Sequence, residues 1–174
     1  MTKLAAFSLK KWVDEHRHLL KPPVGNQMIW KDTDFIVMIV GGPNARKDYH
    51  VNPTEELFYQ LEGDITLKVI ENGEKHDIPI REGDIFLLPP YTPHSPQRPA
   101  NTVGMVVERR RPEGEDDHLR FYCEKCGDVL YEPEFQLTDI VNQLKSIMEK
   151  VWSDEKLRTC KKCGAVLQPP AAAK

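Results

Sequence analysis

His50, Glu56 and His94 are the side chains of this sequence with the clearest means of doing chemistry together. His50 ends one extended segment, Glu56 begins the next after the turn Asn52-Pro53-Thr54, and His94 follows a third, so the three can converge on one interior point. Two neutral imidazoles and one carboxylate form a facial set that leaves three adjacent positions open on a metal, the arrangement of non-haem Fe(II) oxygenases. Taken singly, His50 or His94 reads more readily as a polar rim residue or a satisfied core histidine; the spacing reverses that reading. A second constellation is Cys123-x-x-Cys126-Gly127 and Cys160-x-x-Cys163-Gly164, two CxxC knuckles separated by 33 residues. In a reducing compartment this spacing points to a metal, and four thiolates saturate a tetrahedral ion, so the role is structural. A disulfide pair or redox switch is the alternative.

The elements that must position these residues follow from the pattern. Ser8 caps a helix through Leu20, with Leu9, Trp12, Val13, His16 and Leu20 on one face and Pro22 and Pro23 as its stop. From Gln27 to Glu108 the chain changes to short runs rich in Val, Ile, Leu, Phe and Tyr: 28–30, 35–40, 56–61, 65–70, 76–80, 85–88 and 103–108. Asn72-Gly73 and Arg81-Glu82-Gly83-Asp84 reverse it between runs. Strands this short and evenly spaced form a sandwich or barrel, a mainly β fold. The acidic turn Pro112–Asp117 reads as a linker. Beyond it are expected a strand through Phe121 to Cys123, another near Val129–Tyr131, a helix from about Thr138 to Trp152 with Ile140, Leu144, Ile147, Met148 and Val151 on its apolar face, and a frayed end at Ala171–Lys174. The organisation is thus a helical flank (1–25), a β core carrying the triad (26–111) and an extension with the cysteine knuckles (112–174).

With 174 residues and 40% hydrophobic content, the chain can fill one core plus an appendage. A net charge of −3 with interspersed signs offers no basic stripe to nucleic acid, and the longest apolar run, Phe35–Val40, is far too short to span a membrane. The N-terminus lacks the apolar region of a secretory signal, so a cytosolic protein acting on small molecules is expected.

His50, Glu56 and Gly63 resemble the first motif of the cupin superfamily, and Gly83-Asp-Ile-Phe-Leu-Leu-Pro89 with His94 resembles the second. The resemblance implies a jelly-roll β-barrel. Asp48 stands where cupins usually carry the first histidine of a His-x-His pair, so a three-ligand site is expected; coordination by Asp48 itself stays open. A closer resemblance runs through Leu20–Asn26, Val40–Asn44, Arg46, Asp48–His50, Glu55–Gln60, Gly83–Pro90, Pro93–Pro96 and the knuckles. These segments are similar to the single-cupin branch of the 3-hydroxyanthranilate dioxygenase family. That resemblance implies Fe(II) at the triad, a rubredoxin-like Fe or Zn site at the four cysteines, a homodimer, and ring opening of 3-hydroxyanthranilate by O2 to an aminocarboxymuconate semialdehyde that cyclises to quinolinate, a precursor of NAD.

It also gives roles to three further residues. Arg98 would clamp the substrate's carboxylate bidentately, as a lysine cannot. Arg46 would act on the substrate or oxygen side, and Glu108 would sit beside the hydroxyl and amine and accept the phenol proton. Without the resemblance, Arg46 and Arg98 read as solvated arginines, Glu108 as part of an exposed ion-pair cluster with Arg109–Arg111, and Asn44 as a turn residue. The rival functions are a cupin isomerase or a dioxygenase of another small acid, and a non-catalytic metal-binding module.

Overall fold

Ser8 accepts a hydrogen bond from the Lys11 amide and opens α1, Leu9–His16, as its position predicts. The helix then tightens into a 3-10 turn over Arg17–Leu19 rather than continuing to Leu20, with the Arg17 guanidinium held between Asp14 and Glu62. The computed structural model describes residues 5–21, 25–44 and 46–171. Pro22 and Pro23, the expected helix stop, and residues 172–174 of the expected frayed end lie outside them.

The β-rich runs form strands β1 Asn26–Met28, β2 Phe35–Gly41, β3 Asp48–Val51, β4 Glu56–Glu62, β5 Ile65–Glu71, β6 Glu74–Ile80, β7 Ile85–Leu88, β8 His94–Gln97, β9 Val103–Arg109, β10 Asp117–Tyr122, β11 Val129–Tyr131 and β12 Glu134–Phe135. β1 begins two residues earlier than expected because its register is set by β2, with Asn26 opposite Val40 and Met28 opposite Met38. Helix α2 spans Ile140–Ser153, capped by Asp139, and α3 spans Glu155–Arg158.

All pairings are antiparallel, in one sheet of order β1-β2-β9-β4-β7 and another of order β11-β10-β3-β8-β5-β6, with β12 beside β10. The two sheets face each other as a jelly roll, the mainly β architecture expected, with no hydrogen-bonded closure between them among the described strands. Period-two alternation points Ile36, Met38 and Val40, then Phe58, then Val106 into the interior, where Leu67, Val69, Leu119 and Phe121 of the second sheet meet them. Ile140, Leu144 and Val151 of α2 join this core, while Val13 and Leu20 cover Ile39 and Val103 on the first sheet's other side. Residues 117–122 follow the acidic turn directly and run as a strand of the second sheet beside β3.

Candidate metal centre and active site

Sheet register assembles the triad. In the second sheet, His50 of β3 and His94 of β8 are direct cross-strand partners; in the first, Glu56 of β4 stands opposite Glu108 of β9. The two sheets therefore supply two imidazoles and a carboxylate from facing inner surfaces, with one possible ligand atom of each within 4.8 Å of the others and all three residues buried. His94 holds its orientation through Nδ1 and the Thr92 carbonyl at 3.0 Å, which leaves Nε2 beside Glu56 Oε2 at 3.1 Å. Asn52 donates to the same Glu56 oxygen at 3.3 Å.

The electrostatics suit a cation. Burial keeps the His50 ring neutral by lowering its pKa below the ordinary histidine value. Burial works the same way on His94, but the Glu56 carboxylate outweighs it and raises the pKa, while the two rings and Arg111 hold Glu56 low against its own burial. A divalent ion between them would satisfy the Glu56 carboxylate in place of His94. Two neutral rings and a carboxylate, buried and convergent, fit a divalent metal in a site with open positions.

A cavity of about 400 Å³ opens beside the triad, lined by Arg46, Arg98 and Glu108 on its polar side and by Val40, Phe58 and Met148 among its apolar groups. It suits a one-ring molecule. The structure thus brings all six barrel residues singled out in the sequence to one place. Arg98 is 3% exposed, its Nε has no hydrogen-bond partner among the described residues, and Nη1 has only a long 3.4 Å contact with Gln60. It is not a solvated arginine. Burial lowers its pKa to about 10, which still leaves it cationic at neutral pH. Glu108 is 2% exposed, with Oε2 bound by Arg111 at 2.5 Å and Oε1 without a partner among the described residues. Burial first, and then the Glu56 carboxylate opposite, push its pKa up to about 7 despite Arg111. Glu108 is therefore no surface ion pair, and its free oxygen can take a proton near neutrality.

Asp48 shares the inward side of β3 with His50 but pairs with Arg46, so its carboxylate is committed to a guanidinium and stands outside the His50–Glu56–His94 group. Asn44 does more than turn the chain. Its Oδ1 accepts from the Arg98 amide at 2.8 Å, its Nδ2 donates to the Pro96 carbonyl at 3.0 Å, and its own amide donates to the Arg98 carbonyl at 3.0 Å. Gly104 leaves room for the Arg98 guanidinium: a Cβ there would lie 2.9 Å from Arg98 Nη1 and 2.7 Å from Gln60 Oε1.

Asp117 and Arg111 escaped the sequence reading. Asp117, placed there in an acidic linker, is fully buried and meets His50 Nε2 at 2.6 Å. The available signal was alternation, since Asp117, Leu119 and Phe121 fall on one face of β10.

The knuckles also come together. The Sγ atoms of Cys123 and Cys163, and of Cys126 and Cys160, lie 3.6 Å apart, and all four form one cluster of free thiols. No disulfide has that spacing, whereas a tetrahedron of sulfurs bonded at ~2.3 Å to a metal has edges of about 3.8 Å. Gly127 and Gly164 take φ of +75° and +71°, the left-handed turn each knuckle requires, and donate to the Cys123 and Cys160 carbonyls. Among the described residues no helix is long and apolar enough to cross a membrane.

The chain is 53% identical over 167 residues to 3-hydroxyanthranilate 3,4-dioxygenase of Ruegeria pomeroyi, covering 95% of this chain and 93% of the relative. It is 52% identical over 159 residues to the protein of the same name from Neurospora crassa, covering 91% and 88%. A cupin-2 domain protein from Shewanella frigidimarina superposes with a TM-score of 0.47 at 17% identity, covering 59% of this chain and 100% of that one. The model of the family described as 3-hydroxyanthranilic acid dioxygenase matches residues 1–152, and with the near-full-length relatives this establishes that the chain belongs to that family.

Proposed function

We propose that this protein is a ring-cleaving dioxygenase that opens 3-hydroxyanthranilate with O2 to 2-amino-3-carboxymuconate semialdehyde, which cyclises to quinolinate on the route from tryptophan to NAD. The observation that carries the reading is one cavity in which a three-ligand metal set, a buried guanidinium with no carboxylate partner among the described residues and a buried carboxyl with one oxygen unbonded among them meet.

His50, Glu56 and His94 would hold Fe(II), which when bound would supply the Lewis-acid and O2 chemistry that ring opening needs. Arg98 receives the ring carboxylate; its burial excludes competing water and makes a bidentate contact strong. Glu108 Oε1 is placed to take the phenol proton, and Arg111 holds the other oxygen still. Arg46, braced by Asp48, places a second cation at the cavity wall. The cysteines Cys123, Cys126, Cys160 and Cys163 would hold a second, structural Fe or Zn ion.

The 26–111 segment carries the metal ligands, with 1–25 as its flank and 112–174 as an extension that lends β10 to the second sheet. The protein works in the cytoplasm as a homodimer, without nucleic acid or membrane as partners. Ile85 and Leu87, 67% and 51% exposed on edge strand β7, support dimerisation by offering an apolar outer row.

The test is oxygen consumption and product absorbance with 3-hydroxyanthranilate after anaerobic loading with Fe(II). Turnover that depends on both supports the assignment; no turnover in protein with a filled ferrous site defeats it. Sedimentation as a concentration-independent monomer would remove the dimer.

A further inference from the structure

The Arg111 side chain is fully buried, yet it bonds to none of the cavity's triad. Its guanidinium makes four contacts: Nη2 to Glu108 Oε2 at 2.5 Å, Nε to Asp117 Oδ1 at 2.7 Å, Nη2 to Asp117 Oδ2 at 2.8 Å, and Nη1 to the Arg109 carbonyl at 2.5 Å. Asp117 in turn holds His50 Nε2 at 2.6 Å. All four side chains have zero to 5% exposure. A buried cation is costly unless its donors are matched in geometry and charge, and here two carboxylates match it. The fork needs both, because a lysine's point charge could not meet Glu108 and both Asp117 oxygens together.

From this chain of contacts we propose that Asp117 and Arg111 are positioning residues: Asp117 fixes the His50 ring for the metal from its opposite nitrogen, and Arg111 fixes Asp117 and Glu108 together, so that metal ligand and proton acceptor are aimed by one buried cation. A carboxylate on the far nitrogen of a ligating histidine selects its tautomer and ring orientation and strengthens it as a donor. Glu108 gains the same service on one oxygen, which leaves the other directed at the cavity. The two functions thus share a support that belongs to neither sheet's ligand row: Arg111 follows β9 and Asp117 begins β10, so the short acidic turn between them is what closes the link.

The inference rests on the metal and proton roles proposed above, but its main test needs no substrate. Fe(II) dissociation constants are measured by chelator competition on folded wild-type, Asp117→Asn and Arg111→Lys proteins, together with the visible spectrum of each saturated with Co(II). Asp117→Asn keeps size and an acceptor oxygen but loses the charge, so iron binding is expected to weaken roughly 10- to 100-fold with a changed Co(II) spectrum. Arg111→Lys is the second variant, expected to shift the same spectrum and also the acid limb of kcat/KM against pH, through Glu108. A merely structural pair would lower thermal stability while leaving the Co(II) spectrum and iron affinity within twofold of wild type in both variants, and that result overturns the proposal. If wild-type protein binds iron but does not turn over 3-hydroxyanthranilate, the functional assignment fails while the metal measurements still decide this one.

Discussion

Glu56 and Glu108 stand directly opposite each other on adjacent antiparallel strands, side chains on the same inner face. Two carboxylates at cross-strand distance repel, and burial adds to the cost of charge. The structure resolves the conflict by difference: Glu56 lies among His94, His50 and Arg111 and keeps its charge, whereas Glu108 has its pKa raised to about 7. The division suits the roles proposed for them, Glu56 as metal ligand and Glu108 as proton acceptor.

That division predicts a pH profile. Glu108 must be ionised to accept the phenol proton, so kcat/KM should fall as pH drops through about 7, the side on which the carboxyl is protonated. Glu108→Gln should abolish this acid limb and reduce kcat by about 10²- to 10⁴-fold with iron content retained. The measurement is steady-state kinetics across pH at saturating Fe(II); an unmoved acid limb in the variant would assign it to another group.

The role proposed for Arg98 makes a separate forecast. Arg98→Ala should keep its iron but raise KM by about 10- to 100-fold, the worth of a charge-assisted hydrogen bond of roughly 1.5–3 kcal/mol. Gly104→Ala approaches the same end from the strand behind: its methyl would meet Arg98 Nη1 and Gln60 Oε1 and push the fork aside. A raised KM with unchanged iron binding in both variants is the expected pattern, and unchanged kinetics in Arg98→Ala would place this guanidinium outside the substrate.

Asp48 should matter without being a ligand. Because its carboxylate pairs with Arg46, Asp48→Asn is expected to bind one catalytic iron per chain as before, while kcat/KM falls about tenfold through a loosened Arg46. Metal analysis after dialysis against Fe(II) reads this directly. Loss of the catalytic iron would make Asp48 a fourth ligand.

At the cysteine cluster, Cys126→Ser should remove a second metal that resists the chelation stripping the triad, because four thiolates enclose an ion and three ligands do not. The melting temperature should fall, since such an ion would hold residues 123–126 and 160–163 together, while turnover per folded, iron-loaded molecule should change only modestly. Complete loss of turnover in folded protein would give the cluster a part in the chemistry.

Local rules carried much of this architecture. Runs 35–40, 56–61, 65–70 and 103–108 became strands β2, β4, β5 and β9, extended by one residue or so, because apolar alternation and turn residues act over a few neighbours. Ser8 as a cap and glycine after each second cysteine were legible for the same reason. β3 and β8 were less so, although His50 and His94 on them were legible by type.

What the sequence by itself determined was the chemistry available: two histidines and a glutamate in the right order, two arginines, a second glutamate, and four cysteines in knuckles. What only the tertiary structure decided was which of these charges are buried and with whom they share that burial. Asp117 looked like a linker residue and Arg111 like one of three surface arginines, because charge type and neighbours in sequence say nothing about dielectric. The pairing of β10 with β3 takes Asp117 out of water and places it against His50, and once buried it needs Arg111 as a counter-charge. Desolvation is a property of the folded whole, and so is the partnership of His50, Asp117, Arg111 and Glu108 that it enforces.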